Sequence, residues 1–93
     1  MPIKQYTLEG SAIHSLDELY GRLVSGLSLS SDFGCNLDAL WDVLSTDVEG
    51  PFEIIWKHAG ASKKAMGGDF DRVKILLQDL EKERKDFKLK LEL

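Results

Sequence analysis

Hydrophobic and polar residues alternate along the chain with two periods, and the change of period divides the chain into strands and helices. Residues 3–8 alternate loosely with a period of two, which predicts a strand. Ser15 and Glu18 have the spacing of a capping box, so a helix is expected over residues 16–25, ending near Gly26. Its inward face is predicted from helical spacing: Leu16, Leu19, Tyr20, Leu23 and Leu27.

A second helix and a second strand follow. Asn36 is a favoured N-cap, and a helix is expected over residues 37–45. Apolar residues at i, i+3, i+4 and i+7 predict a buried stripe of Leu37, Leu40, Trp41 and Leu44. After Gly50-Pro51, residues 52–56 are apolar almost throughout. Such a run is typical of a strand covered on both faces, as in a parallel sheet.

The C-terminal third contains two more helices and a strand. Residues 58–66 are weakly helical, and Gly67-Gly68 separates them from a long helix that opens at Asp69. Residues 87–93 alternate strictly and carry lysines, which is typical of an edge strand. The order β-α-α-β-α-α-β predicts an α/β fold with a three-stranded parallel sheet and right-handed helical crossovers. One domain is expected over residues 1–93.

Composition narrows the class of protein. With 43% hydrophobic residues in 93, a disordered chain is ruled out and one modest core is expected. Cys35 is the only cysteine, so a disulfide within one chain is impossible. We find no apolar stretch long enough for a signal peptide or a membrane span, so we expect a cytoplasmic protein.

The net charge of −4 is unevenly distributed. The 34 residues between Arg22 and Lys57 contain no Lys, Arg or His. They contain six acidic residues: Asp32, Asp38, Asp42, Asp47, Glu49 and Glu53. A segment of one sign predicts a polarised surface that attracts a cationic partner and repels nucleic acid.

Metal binding, catalysis and nucleic-acid binding are weakly supported. The candidate soft metal ligands, His14, Cys35 and His58, lack local pairing, so no metal site or cofactor is expected. Cys35 ends a polar loop over residues 28–35, before a helix start that favours a thiolate. No pattern marks an orienting group or an oxyanion hole, so we expect no enzyme. Lysines near the C-terminus alternate with acids, which leaves no basic stripe for phosphates.

Two aspartates give the second helix its most informative pattern. At about 100° per residue, Asp38 and Asp42 lie one turn apart on one flank of the apolar stripe. Like charges at this spacing repel by a few tenths of a kcal/mol, and Asp42 lies towards the helix end, where the dipole opposes it. No basic residue lies nearby in the sequence. The pattern is compatible with a solvated face or with a docking face for a cationic partner.

Residues 33–44, Phe-Gly-Cys-Asn-Leu-Asp-Ala-Leu-Trp-Asp-Val-Leu, resemble the characteristic segment of the barstar family, intracellular inhibitors of secreted microbial ribonucleases. Seven consecutive residues, 36–42, match that pattern. The resemblance covers nearly the whole chain and implies the family's three-stranded parallel sheet with helices. It also implies that the second helix and the preceding loop place carboxylates in the cationic active site of a ribonuclease.

The resemblance also implies a set of partner-binding positions. Asp38 and Asp42 match acidic contacts of the family, and Asp79 falls where a Glu on the last helix makes another. Asp32 and Asp47 replace a Tyr and a Trp of the best-known member, and Asp79 is one methylene shorter than the family Glu. The expected partner-binding residues are Asp32, Phe33, Gly34, Asn36, Leu37, Asp38, Trp41, Asp42, Ser45, Asp47 and Asp79.

The expected partner is a basic bacterial ribonuclease or ribonuclease toxin, bound by a monomer, with no nucleic acid and no membrane involved. Two alternatives stay open: an immunity protein of the same fold against a toxin that is not a ribonuclease, and a small acidic adaptor for a basic protein surface. A nuclease assay separates inhibition of a ribonuclease from immunity against another toxin. A toxin-like reading frame beside the coding sequence would separate both from the adaptor.

Overall fold

The computed structural model describes residues 3–29 and 36–93. These residues form three parallel strands in the order β1-β2-β3: β1 (Lys4–Glu9), β2 (Phe52–Lys57) and β3 (Phe87–Leu91). The helices between them are α1 (Leu16–Leu27), α2 (Leu37–Asp42), α3 (Ala59–Met66) and α4 (Gly68–Glu83). The expected α/β fold with a three-stranded parallel sheet is therefore confirmed.

One face of the sheet carries the core, and the other face is largely open. On the core face, β2 buries Phe52, Ile54 and Trp56 completely. On the other face, the register places half-buried Ile55 between exposed Thr7 and Lys90. The expectation that β2 is covered on both faces is therefore wrong. The nearly continuous apolar run reflects its central position between two strands, which screen Ile55 in part.

β3 lies at the edge of the sheet, as expected, although it ends at Leu91 rather than at residue 93. Two features discourage pairing with a foreign strand at this edge. One is the exposed lysines of β3, and the other is a hydrogen bond from the N–H of Leu89 to the carboxylate of Glu81 on α4, at 2.9 Å. An edge N–H that is already bonded offers less to a foreign strand.

α1 continues to Leu27, past the expected end near Gly26, because Gly26 allows close packing rather than ending the helix. A Cβ at Gly26 would lie 2.0 Å from the ring of Tyr6 on β1. The Tyr6 hydroxyl donates to the carbonyl oxygen of Arg22 at 2.6 Å, which ties the ring to α1. The helix ends at Ser28, which adopts the left-handed conformation with φ 54°.

Gly26→Ala is expected to lower the free energy of unfolding by about 1–3 kcal/mol, because the new methyl overlaps the Tyr6 ring. Gly21→Ala is the matched control in the same helix, since no described atom outside the helix backbone lies within 4 Å of where its methyl would be. That control is expected to stabilise the protein by about 0.5–1 kcal/mol through higher helix propensity. Urea unfolding measures the free energy of unfolding of both variants. Equal changes in the two would contradict the close packing of Gly26 against Tyr6.

Candidate functional site

α2 is held in place by its N-cap and by two leucines. The side chain of Asn36 accepts a hydrogen bond from the N–H of Ala39 at 2.7 Å, which confirms the expected N-cap. Leu40 and Leu44 are fully buried. Leu40 lies in α2 and Leu44 two residues beyond its end, and together they anchor one side of this segment in the core and leave the opposite side facing solvent.

Leu37 and Trp41 were expected in the same buried stripe, but both are only half-buried and pack at the margin of the core. Leu37 lies only about 20° round the helix from fully buried Leu44, so angle alone does not account for its exposure, whereas Trp41 lies at the rim of the stripe, about 100° from Leu40. Part of the Trp41 side chain is therefore accessible beside the acidic flank of α2.

Asp38 and Asp42 are exposed on successive turns of α2, and Asp47 is exposed a little further along the chain. We call these three residues the acidic surface. Within residues 3–29 and 36–93, no basic side chain forms an ion pair with any of their carboxylates. The acidic surface thus concentrates negative charge without a described internal countercharge.

The second helix was expected to run as an α-helix to residue 45. Instead it widens after Asp42 into a π-helical turn, Val43–Asp47. The N–H of Val48 donates to the carbonyl of Val43, five residues back, at 3.2 Å. Two hydroxyls, those of Ser45 and Thr46, donate to the carbonyl of Asp42 at 3.2 and 2.6 Å. Such side-chain donors compete with backbone N–H groups, which favours a wider turn. Single π turns are concentrated at functional sites.

The remaining expected partner-binding residues lie outside the acidic surface or outside the described residues. The hydroxyl of Ser45 is used within its own helix, and the residue is half-buried. Asp79 is exposed on α4, which packs against α2, and it forms no ion pair with a described residue. Asp32, Phe33 and Gly34 lie outside the described residues, as does Cys35.

Asp47 also lines a cavity of about 550 Å³ between β1, the end of α1 and the π-helical turn. Its lining mixes polar and apolar side chains, among them Lys4, Tyr6, Leu27 and Phe52. The acidic surface therefore borders a concave part of the molecule at Asp47.

Residues 3–93 match the family model described as "Barstar (barnase inhibitor)". The chain belongs to the barstar family. It is also 30% identical over 91 residues to a protein of Bacillus subtilis (strain 168) named "Putative ribonuclease inhibitor YrdF". That similarity covers 97% of this chain and 100% of the relative. The family resemblance inferred from residues 33–44 is confirmed.

One residue that supports the end of this candidate site was not indicated by any sequence pattern. Arg84 follows α4, and its Nη1 donates to the carbonyl oxygens of Leu44 at 2.7 Å and Val48 at 2.8 Å. These partners lie 40 and 36 residues away in the chain, beyond the reach of any spacing rule. The sequence showed only that a basic residue lies at the C-cap of a predicted helix. Such a residue ordinarily bonds to the carbonyls of its own helix, so this position did not indicate a contact with another part of the chain.

Arg84 also forms a bidentate pair with Asp86, and this pair should make the stability of the protein depend on pH in acid. Hydrogen bonds from the guanidinium lower the pKa of the Asp86 carboxyl below its ordinary value of 3.8. A carboxyl whose pKa is lowered by folding stabilises the protein above its unfolded pKa, and this contribution is lost as pH falls through the folded value. Acid unfolding of Asp86→Asn should therefore depend less on pH below about 3.8 than that of the parent. Equal slopes would contradict the pairing.

The histidines considered as metal ligands face glutamates instead. Nδ1 of His14 lies 3.4 Å from Glu18 Oε1, and Nδ1 of His58 lies 2.6 Å from Glu9 Oε2. Over the described ranges, 3–29 and 36–93, no group of three or more His, Cys, Asp or Glu is arranged to hold a metal ion. In the same part of the chain, no helix has the length and apolar character needed to cross a membrane.

Proposed function

We propose that this chain inhibits a basic microbial ribonuclease by inserting its acidic surface into the cationic active site of the enzyme. The observation that carries this proposal is the exposure of Asp38 and Asp42 on successive turns of α2, with no ion-pair partner among the described residues. Membership of the barstar family supports a function of the ribonuclease-inhibitor type. The name of the Bacillus subtilis relative supports the same function.

The proposed mechanism is mimicry of RNA phosphates. A ribonuclease active site is cationic because it binds phosphates and stabilises charge on the phosphoryl group during cleavage. Asp38 and Asp42 are four residues apart, which corresponds to about 6 Å along a helix. Two carboxylates at that separation can accept charge-assisted hydrogen bonds from arginines and lysines that otherwise hold neighbouring phosphates. The inhibitor excludes the substrate and carries out no chemistry of its own.

Other positions would complete the interface. The accessible part of Trp41 would add an apolar contact beside the carboxylates, as aromatic residues commonly do in protein interfaces. Asp79 would add a negative charge from α4. With Asp32 and Asp47 in place of family aromatics, this interface would depend more on charge and would select a different range of enzymes.

We place this inhibitor in the bacterial cytoplasm, as a monomer that binds protein rather than nucleic acid. There it would protect the cell from a ribonuclease of its own or of a competitor. The acidic surface supports a protein partner over RNA, because it would repel phosphates.

Titration of the protein into barnase, and into a panel of other basic microbial ribonucleases, tests this function by the rate of RNA hydrolysis. At least one enzyme is expected to lose activity at a stoichiometry of one to one. Glu53→Gln is the matched control: it removes a charge from the same acidic stretch, but on the open face of the sheet, where Glu53 accepts from Gln5. That variant should inhibit like the parent. If the folded protein inhibits no enzyme of the panel, the proposed function is wrong.

Association with the inhibited ribonuclease should slow steeply as salt is added. Exposed charges attract over the Debye length, which shrinks from about 30 Å at 0.01 M to about 8 Å at 0.15 M ionic strength. The dissociation rate should change less, because it depends on contacts already formed. Stopped-flow measurements across this salt range provide the check, and an association rate indifferent to salt would argue against electrostatic steering.

A further inference from the structure

Arg84 joins three separate parts of the chain through one guanidinium group. Its Nη1 binds the carbonyl oxygens of Leu44 and Val48, at opposite ends of the π-helical turn. Its Nε and Nη2 donate to the two carboxylate oxygens of Asp86, each at 2.8 Å. The guanidinium carbon lies 5.0 Å from the centre of the Phe52 ring, and the side chain is only 14% exposed.

These contacts use the geometry peculiar to arginine. The bidentate pair with Asp86 fixes the plane of the guanidinium, and the ring of Phe52 restricts it further. With the plane fixed, the two N–H bonds of Nη1 have fixed directions in that plane, one towards each carbonyl. The carbonyls of Leu44 and Val48 must therefore both lie within hydrogen-bond reach of the same nitrogen, which restricts the path of the chain between them.

The same contacts offset an unfavourable concentration of negative charge. Carbonyl groups at the end of a helix carry partial negative charge, and here Asp42 and Asp47 lie in the same stretch. The guanidinium supplies positive charge to the carbonyls from the buried side and leaves the two carboxylates exposed on the other. The acidic surface thus keeps its outward charge while two carbonyls at the end of its helix are hydrogen-bonded from within, and the carboxylate of Asp86 balances the charge of the guanidinium.

We propose that Arg84 is a positioning residue for partner binding: it sets the path of the π-helical turn, and with it the placement of Asp42 and Asp47. Arg84 acts through the backbone of residues 43–48 and does not itself touch the partner. This inference rests on the proposed function for its effect on binding, whereas its effect on the free protein is independent of any partner.

The test compares Arg84→Met with Arg72→Met. Arg72 is the matched control because it lies on α4, is 70% exposed and, among the residues that the structure describes, pairs only with nearby Asp69. Both variants therefore lose the same charge. In the free protein, hydrogen exchange at the Val48 amide should accelerate by about tenfold or more in Arg84→Met, as expected when hydrogen bonds to a charged group are lost. Amides of β2 should change less, and Arg72→Met should leave both unchanged.

The binding measurement uses the first ribonuclease of the panel that the parent inhibits. Dissociation should be about 10- to 100-fold faster for Arg84→Met, in the range of coupling between connected residues, and unchanged for Arg72→Met. Association should not slow, because both variants are more negative and remain attracted to a cationic enzyme. In a double-mutant cycle, the effect of Arg84→Met should shrink when Asp42→Ala is already present, because the two changes act through the same contact.

Arg84→Lys keeps the charge, but its three N–H donors cannot replace the four hydrogen bonds that Arg84 makes, so the bidentate pair that fixes the group is lost. This variant should therefore dissociate almost as fast as Arg84→Met. It also serves as the test variant if Arg84→Met does not fold. Parent-like Val48 exchange and parent-like dissociation in the folded variant would overturn the positioning role. If the parent inhibits no ribonuclease, the proposed function fails, and Val48 exchange alone then supports or overturns the role of Arg84.

Discussion

Asp42→Ala should inhibit the cognate ribonuclease about 30-fold to several thousand-fold more weakly than the parent. Removing one partner of a buried, hydrogen-bonded charge pair costs about 2–5 kcal/mol or more; barnase–barstar is itself among the measured cases, so this magnitude is carried over from the family. Asp42 is exposed in the free protein and has no ion-pair partner among the described residues, so it is available to supply such a countercharge.

The stability of free Asp42→Ala should stay within about 0.5 kcal/mol of the parent. The Asp42 carbonyl, which accepts the hydroxyls of Ser45 and Thr46, remains in the variant, and one of two repelling carboxylates is removed. The measurements are inhibition constants against the enzyme that the parent inhibits and thermal unfolding of each free protein. Parent-like inhibition by Asp42→Ala would show that the acidic surface is not the inhibitory contact.

Leu44→Ala should lower the free energy of unfolding by about 2–5 kcal/mol through lost burial and a cavity. Leu44 is fully buried, two residues along the chain from exposed Asp42. For a domain of this size, the melting temperature should fall by roughly 8–40 °C, since each kcal/mol corresponds to about 4–8 °C. Calorimetry or circular dichroism provides the measurement.

Ile75→Ala is the control for this change, because Ile75 is an aliphatic residue of α4 that is 54% exposed. Its effect should stay within about 0.5 kcal/mol. Inhibition by Leu44→Ala should weaken mainly as the folded fraction falls, and it should recover at low temperature. A stability loss no larger than that of Ile75→Ala would contradict the burial of Leu44. Leu44→Ala and Asp42→Ala together separate folding from function on one helical segment.

Local patterns were sufficient for the order of elements and for the family. Ser15 and Asn36 cap the helices that they were expected to cap, because N-capping depends on a side chain and an amide only three residues away. The alternation of residues 87–93 predicted an edge strand, and the helical crossovers predicted parallel strands. Family membership followed from residues 33–44, since seven consecutive matching residues seldom arise by chance.

The errors arose where an element meets a distant part of the chain. Gly26 was expected to end α1, but the ring of Tyr6, twenty positions earlier, requires a glycine inside the helix. Residues 52–56 were expected to be covered on both faces, whereas the helices cover one. Leu37 and Trp41 follow helical spacing but lie at the margin of the core, because spacing specifies an angle and not how far the neighbouring elements extend.

The sequence by itself determined which residues bear negative charge, that Asp38 and Asp42 share a helical flank, and that no basic residue lies near them in the chain. These properties depend on composition and on a period of 3.6 residues, so they can be deduced without coordinates. Only the tertiary structure decided how that flank is held. The contacts of Arg84 with Leu44 and Val48 join residues 40 and 36 positions apart, and such contacts exist only once the sheet has brought α4 beside α2.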